Sequence, residues 1–374
     1  MDFDVGRLPG LYTGDPARVE VARRRQAAVW RGEKPDLWPA IAQIPVLTDA
    51  QKAIPNPDFK QAFDSVDWML CSQVRLACGV ANAGSDAVPS VRGNYGTGMA
   101  LACVGLDQEV FPDKMPWLKR HLTPEQAARL TPDDIRVRGA VERGLDYMRR
   151  HKALMGDRPM LYCMDTQGPF DLAHLMLGDD LFYLVYDDPP FVHHVLGFCV
   201  ELATRLTHWM KAVSGEPADV CHHTNSLYME NGGIRICEDS TVLLGPGQIR
   251  EFAIPYSRRL AQRFGGAWVH YCGRNDELTR AICEAPEFRG INFGHVPGHE
   301  HEHPFEQDMA WIRDRGKICF GGWPRRPGEE GEAYLRRMLE WARQGCLIPQ
   351  IDPAVGPGGY PDIRAAVDAW YAMQ

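Results

Sequence analysis

The sequence predicts an α/β protein built as a (β/α)8 TIM-type barrel with an N-terminal helical extension. Two observations carry that expectation. From Val88 onward, short apolar runs alternate with amphipathic stretches. The last four runs, near Val269, Ile291, Ile318 and Leu347, are separated by helical segments, which implies parallel strands. An open doubly wound sheet is the competing arrangement. The expected boundaries are a helical layer over residues 1–87 and the barrel over 88–374.

Composition narrows the function classes. The chain has 374 residues, a net charge of −8 and 45% hydrophobic residues, which suits one large domain or two smaller ones. An acidic balance argues against a nucleic-acid partner. No apolar run reaches the roughly 20 residues that span a bilayer. The N-terminus, Met1-Asp2-Phe3-Asp4, lacks the pattern of an export signal. The 11 cysteines are therefore expected to be reduced thiols in a cytoplasmic protein, most of them core residues. A homodimer is compatible with this composition and not required by it.

In chain order, Asp15–Trp30 and Asp58–Ala81 read as amphipathic helices, the first with an Asp cap. Val88–Val91 reads as a strand feeding the loop Arg92-Gly93-Asn94, where Arg92 and Asn94 are placed to hold an anionic or carbonyl group of a substrate. Turn chemistry with an ion-paired Arg is the equal alternative. Thr123–His151 is helical, with two Thr-Pro-acid starts. Pro159–Asp165 is a second strand that delivers Asp165 and Gln167 to its C-terminal end, where barrel enzymes keep their chemistry. Asp188–Gly215 is a long core helix. His222 and His223 are neighbours on a strand, point to opposite faces and cannot easily bind one ion. Glu238 and Asp239 close a short strand, so one of them should face the mouth.

The stretch Gly265–Gly273 carries the sharpest signal. An apolar strand ends in His270 and Cys272, two residues apart and so on one face. Imidazole and thiolate together suit zinc. Cys319 and Cys346, near the ends of later strands, are the candidates for a third ligand, and spacing does not choose between them. His295, His299, His301 and His303 lie in a Gly/Pro/Glu-rich loop, for which an exposed or lid role is expected.

From about residue 88 to its end the chain resembles the uroporphyrinogen decarboxylase superfamily. The resemblance rests on Gly168-Pro169-Phe170-Asp171-Leu172-Ala173, on the segment from Gly245 to Tyr256, on His270-Tyr271-Cys272-Gly273 and on Gly345-Cys346-Leu347-Ile348-Pro349. True decarboxylases of that superfamily carry an Arg-rich N-terminal segment, which is absent here. The resemblance is instead to the branch of zinc- and cobalamin-dependent methyltransferases. It implies a zinc held by His270, Cys272 and Cys346, with Cys319 left in the core. It also implies a corrinoid (methylcobalamin or cob(I)alamin) supplied by a partner protein, and a small-molecule methyl donor or acceptor of methoxy, methylamine or thiol type. Asp165, Asp239 and Glu238 are the expected catalytic residues, with Glu238 also open as a fourth zinc ligand. Arg92, Asn94, Gln167 and Tyr271 are the expected substrate-binding residues. A metal-free decarboxylase or lyase acting on a carboxylated substrate is the rival expectation.

Overall fold

The computed structural model describes residues 3–294 and 303–374. The strands are β1 (Ser90–Val91), β2 (Gln108–Glu109), β3 (Trp117–Leu118), β4 (Met160–Leu161), β5 (Val220–His223), β6 (Leu227–Glu230), β7 (Ile234–Cys237), β8 (Ala267–Cys272), β9 (Phe288–Gly294), β10 (Ile318–Gly321) and β11 (Leu347–Pro349). Five of them form one parallel sheet in the order β11-β10-β9-β8-β7. Strands β1 and β4 form a separate parallel pair. An antiparallel hairpin, β5–β6, stands just before β7 in the chain. The architecture is thus α/β with a parallel sheet, and the strand ladders of the described residues run continuously through five strands, without by themselves closing the expected eight-stranded barrel.

The first expected N-terminal helix is present as α1 (Pro16–Trp30), while the second, expected over Asp58–Ala81, is split at the extended Ser65 into a short helix Phe59–Asp64 and α2 (Val66–Asn82). Asp15 caps α1 by accepting the Ala17 N–H at 3.0 Å. The expected Thr123–His151 helix is broken into short turns before α3 (Gly139–Met155), because Pro124 and Pro132 each restart the backbone. The long core helix is α4 (Pro189–Ser214), ended by Gly215 in the left-handed region.

Alternation sorts the side chains of the sheet into two sets. Val269, Tyr271, Ile234, Ile236 and Cys319 join the large core shared with the helices. Trp268, Ile318, Phe320 and Ile348, on the other face, join a second core with Val29, Trp30 and Ile41 from the N-terminal segment and Cys221, Leu227 and Met229 from the hairpin. That second core fills the sheet's inner side below the strand ends. The end of α1 is pinned there: Trp30 Nε1 donates to Tyr228 O at 2.7 Å. Gln26, fully buried, donates to Asp86 O and Ser226 O and accepts the Tyr228 N–H. Gly290 makes room for the indole, since a Cβ there would sit 2.9 Å from the Trp30 ring.

Removing the Trp30 side chain should therefore leave both a cavity and an orphaned carbonyl. Trp30→Ala should cost about 3–5 kcal/mol, read as a lowered urea midpoint in equilibrium unfolding.

Candidate metal centre

The site is assembled where β7 and β8 end. The register sets Arg235 opposite Trp268 and Cys237 opposite His270. Continuing the two-residue alternation, Arg235, Cys237 and Asp239 fall on the inner face with Trp268, His270 and Cys272. The Cys237 thiol, one carboxylate oxygen of Asp239 and one imidazole nitrogen of His270 all lie within 4.8 Å of one another. His270 Nε2 is 3.7 Å from Asp239 Oδ1 and 3.5 Å from Cys272 Sγ. Tetrahedral zinc with bonds of about 2.0 Å to nitrogen and 2.3 Å to sulphur spaces its ligand atoms roughly 3.3–3.8 Å apart. The donor chemistry and the His270–Asp239 and His270–Cys272 spacings therefore fit such an ion.

Three local features hold the donors. Asn292 Nδ2 donates to Phe320 O at 2.5 Å, which turns its Oδ1 toward His270 Nδ1 at 2.6 Å. His270 Nδ1 then carries the proton, and Nε2 presents its lone pair to Asp239 and Cys272. Burial and the nearby Arg235 guanidinium lower the His270 pKa to about 4, so the ring is neutral at pH 7. Asp239 Oδ1 accepts the Cys272 N–H at 2.7 Å and ties the two strand ends together. Gly294 lets the cluster close: a Cβ there would lie 2.2 Å from Cys272 Sγ.

A buried carboxylate pair stands behind Asp239. Asp171 accepts the N–H groups of Asp239 at 2.8 Å and Ser240 at 2.7 Å. Burial and the Asp239 charge push its pKa up to about 7. Glu238 is the second member. Its Oε2 accepts the Asp171 N–H, its Oε1 the Ser257 hydroxyl, and burial raises its pKa well above the usual carboxylate range. Glu238 is the expected alternative to Asp239 at the strand end. It shares the parity of Ile236 and turns into the helix layer instead, where Gly168 leaves room for it. Tyr271 departs from expectation for the same reason, with its hydroxyl on Thr279 Oγ1 at 2.5 Å inside the helix-side core.

Cys346 does not join the cluster. It precedes β11, and Leu347 is in register with Cys319, Ile291 and Val269 in turn. Cys346 therefore sits four residue levels below Cys272, roughly 13 Å along the strands. Its thiol faces Trp341 O at 3.4 Å among the helix-side residues. The metal-capable donor that expectation lacked is Cys237, buried on β7.

On the other flank, Asp165 is fully engaged. Its Oδ1 accepts Arg235 Nη1 at 2.7 Å and faces Arg92 Nη1 at 3.3 Å, while its Oδ2 accepts Gln167 Nε2 at 3.0 Å. The two guanidiniums and the amide outweigh burial and hold its pKa below the ordinary value. Asp165 therefore stays ionised and is no proton carrier at neutral pH. Gln167 bridges to Cys237 and so connects this flank to β7. Asn94 has its backbone N–H 3.4 Å from Met69 Sδ, and no side-chain bond joins it to the cluster among the described residues.

The adjacent histidines of β5 do split between two environments. His222 binds Glu216, which is also held by Lys211, at 2.8 Å in each case. His223 turns inward against Trp268 and Tyr162, where burial, Arg235 and Arg92 keep it neutral. His295, His299 and His301 lie outside the described residues. His303, expected in an exposed or lid loop, has a buried side chain, with Nδ1 3.0 Å from Asp308 Oδ2 and Nε2 2.6 Å from Gly273 O.

No protein-family description matches the chain, and no curated protein does. Among solved structures it is similar to a methyltransferase from Methanosarcina mazei, with a TM-score of 0.62 and 15% identity over 94% of this chain and 98% of that one. That likeness shows a common fold along nearly the whole length.

Two outcomes follow from the geometry. In metal-free protein the His270 ring should titrate near pH 4 rather than near 6.5, read from its imidazole proton shifts. Asn292→Ala should free the ring to rotate and to exchange tautomers, and should lower affinity for Co2+ or Zn2+ about 10–100-fold in a chelator competition.

Proposed function

We propose that the protein is a zinc-dependent methyltransferase that moves a methyl group between a small-molecule substrate and a corrinoid carried by a partner protein. The observation that carries this reading is the convergence of Cys237, Asp239 and His270, with Cys272 Sγ 3.5 Å from His270 Nε2, at the ends of two neighbouring parallel strands. The likeness in fold to a methyltransferase supports it. No helix among the described residues is long and apolar enough to cross a membrane; a cytoplasmic location is a separate part of the proposal.

We also infer that the strands close into a ring. Ile41 bridges Gln350, the Asp86 N–H donates to Ala40 O, β1 pairs with β4, and Gln167 bridges Cys237. With the five-stranded sheet, these contacts support a ring of eight positions; in that ring the cluster would lie at the C-terminal mouth, where barrel enzymes work.

Bound zinc would supply Lewis acidity, either lowering the pKa of a thiol or polarising the heteroatom of a methyl donor. The chain's own residues do the rest. His270 and the thiols are the N and S donors, with Asn292 fixing the imidazole. Asp239, 43% exposed at its side chain, is the donor nearest solvent and the one an arriving ligand would displace. Asp171 holds the loop that carries it. Trp268 and the second core exclude water from below.

Metal analysis of protein purified without added metal tests the reading. About one zinc per chain is expected, lost in His270→Ala and Cys272→Ser, reduced in Cys237→Ser and Asp239→Asn, and kept in Cys346→Ser and Cys319→Ser. A wild type that takes no zinc even under reducing conditions would shift the reading to metal-free chemistry of the decarboxylase type.

A further inference from the structure

Beside the metal-capable cluster lies a second set of groups, which the zinc reading leaves without a task. Arg92 follows β1, Asp165 and Gln167 follow β4, and Arg235 lies on β7 two residues before Cys237. Two guanidiniums bring ten N–H donors to one carboxylate. Asp165 uses its oxygens on Arg235, Gln167 and Arg92. Donors are left over. Arg92 Nη1, 3.3 Å from Asp165, is in ion-pair range but makes no aligned hydrogen bond, and Arg235 Nε is buried with no partner. Burying guanidinium donors without acceptors costs free energy that an arriving anion would recover.

The two arginines differ in what they can do. Arg235 is the more deeply buried, its side chain 11% exposed, and is locked on Asp165 at 2.7 Å. Arg92 is 22% exposed at its side chain and only loosely held by the same oxygen. Asp165 and Arg235 therefore position Arg92, whose partly exposed guanidinium keeps donors for an incoming ligand. Gln167 bridges Cys237, and Arg235 lies two residues before Cys237 on β7, so the arginine pair and the cluster are neighbours on one face of the strands. Planar bidentate pairing makes Arg the natural partner of a carboxylate.

Resting on the zinc reading for the other end of the molecule, we propose that the substrate is an organic anion. Its carboxylate, or an equivalent oxyanion, docks on Arg92, while its reacting heteroatom is directed at the cluster of His270, Cys272, Cys237 and Asp239. Arg92 is a substrate-binding and specificity-determining residue; Asp165, Gln167 and Arg235 are positioning residues.

The test uses the full chain and one probe pair, 3-mercaptopropionate and its neutral methyl ester. Binding is followed by calorimetry in metal-free protein and in protein loaded with Co2+. The acid should bind at least about tenfold tighter than the ester to wild type in both forms. In Arg92→Gln the preference should fall to about one, with the ester unaffected. Arg92→Lys should restore part of it, which a merely structural role for Arg92 would not produce. Equal binding of acid and ester to wild type, no binding of the acid at millimolar concentration, or a preference unchanged in Arg92→Gln would overturn the proposal. Metal stoichiometry is a separate reading of the same samples. A protein that binds no metal yet keeps an acid preference dependent on Arg92 would sink the zinc assignment and leave the anion site standing.

Discussion

Everything at this site depends on the two-residue alternation of parallel strands held in register. Cys237 lies opposite His270 because Ile236 lies opposite Val269, and those two lie together because both are buried against helices. A slip of one residue on β7 would turn Arg235, Cys237 and Asp239 into the helix layer and bring Ile236 and Glu238 to the face of the cluster. The apolar residues of the outer face thus fix the polar residues of the inner one. The cluster needs no dedicated scaffold beyond the sheet that the hydrophobic core already enforces.

The same alternation explains how far the site was legible in the sequence. His270 and Cys272 stand on one strand at a spacing of two, so their common face can be read directly. Asp239 against Glu238 was a choice between parities, and the apolar residues Ile234 and Ile236 contain the answer: the acid in step with them faces the helices. That rule applied to Tyr271 would have removed it from the mouth as well. Cys237 could have been reached from Asp239 by stepping back two residues, but its partnership with His270 is a matter of register between strands, which no spacing along one chain encodes. Cys346 shows the limit most clearly. A motif placed it near a strand, while the strand begins only after it, and its level on the sheet comes from three successive pairings.

The fold was legible in its rhythm and less so in its connections. Alternation of apolar runs and helical stretches foretells parallel strands, and the five-stranded sheet has them. The hairpin β5–β6 carries no such rhythm, and its packing against α1 through Gln26 and Trp30 joins residues some 200 positions apart in the chain. Asp171 is hidden for a related reason. It sits in the first turn of a helix, an ordinary place for an acid, and only the fold brings Asp239 and Ser240 to it.

The filled inner side of the sheet has a consequence for traffic. Trp268, Phe320, Ile348 and the hairpin's Leu227 and Met229 stop the space beneath the cluster. With that side filled, a ligand that reaches the cluster approaches past the ends of β7 and β8, where Asp239 is an exposed donor. The direction of approach is set by packing on the far side of the strands, before any chemistry is considered.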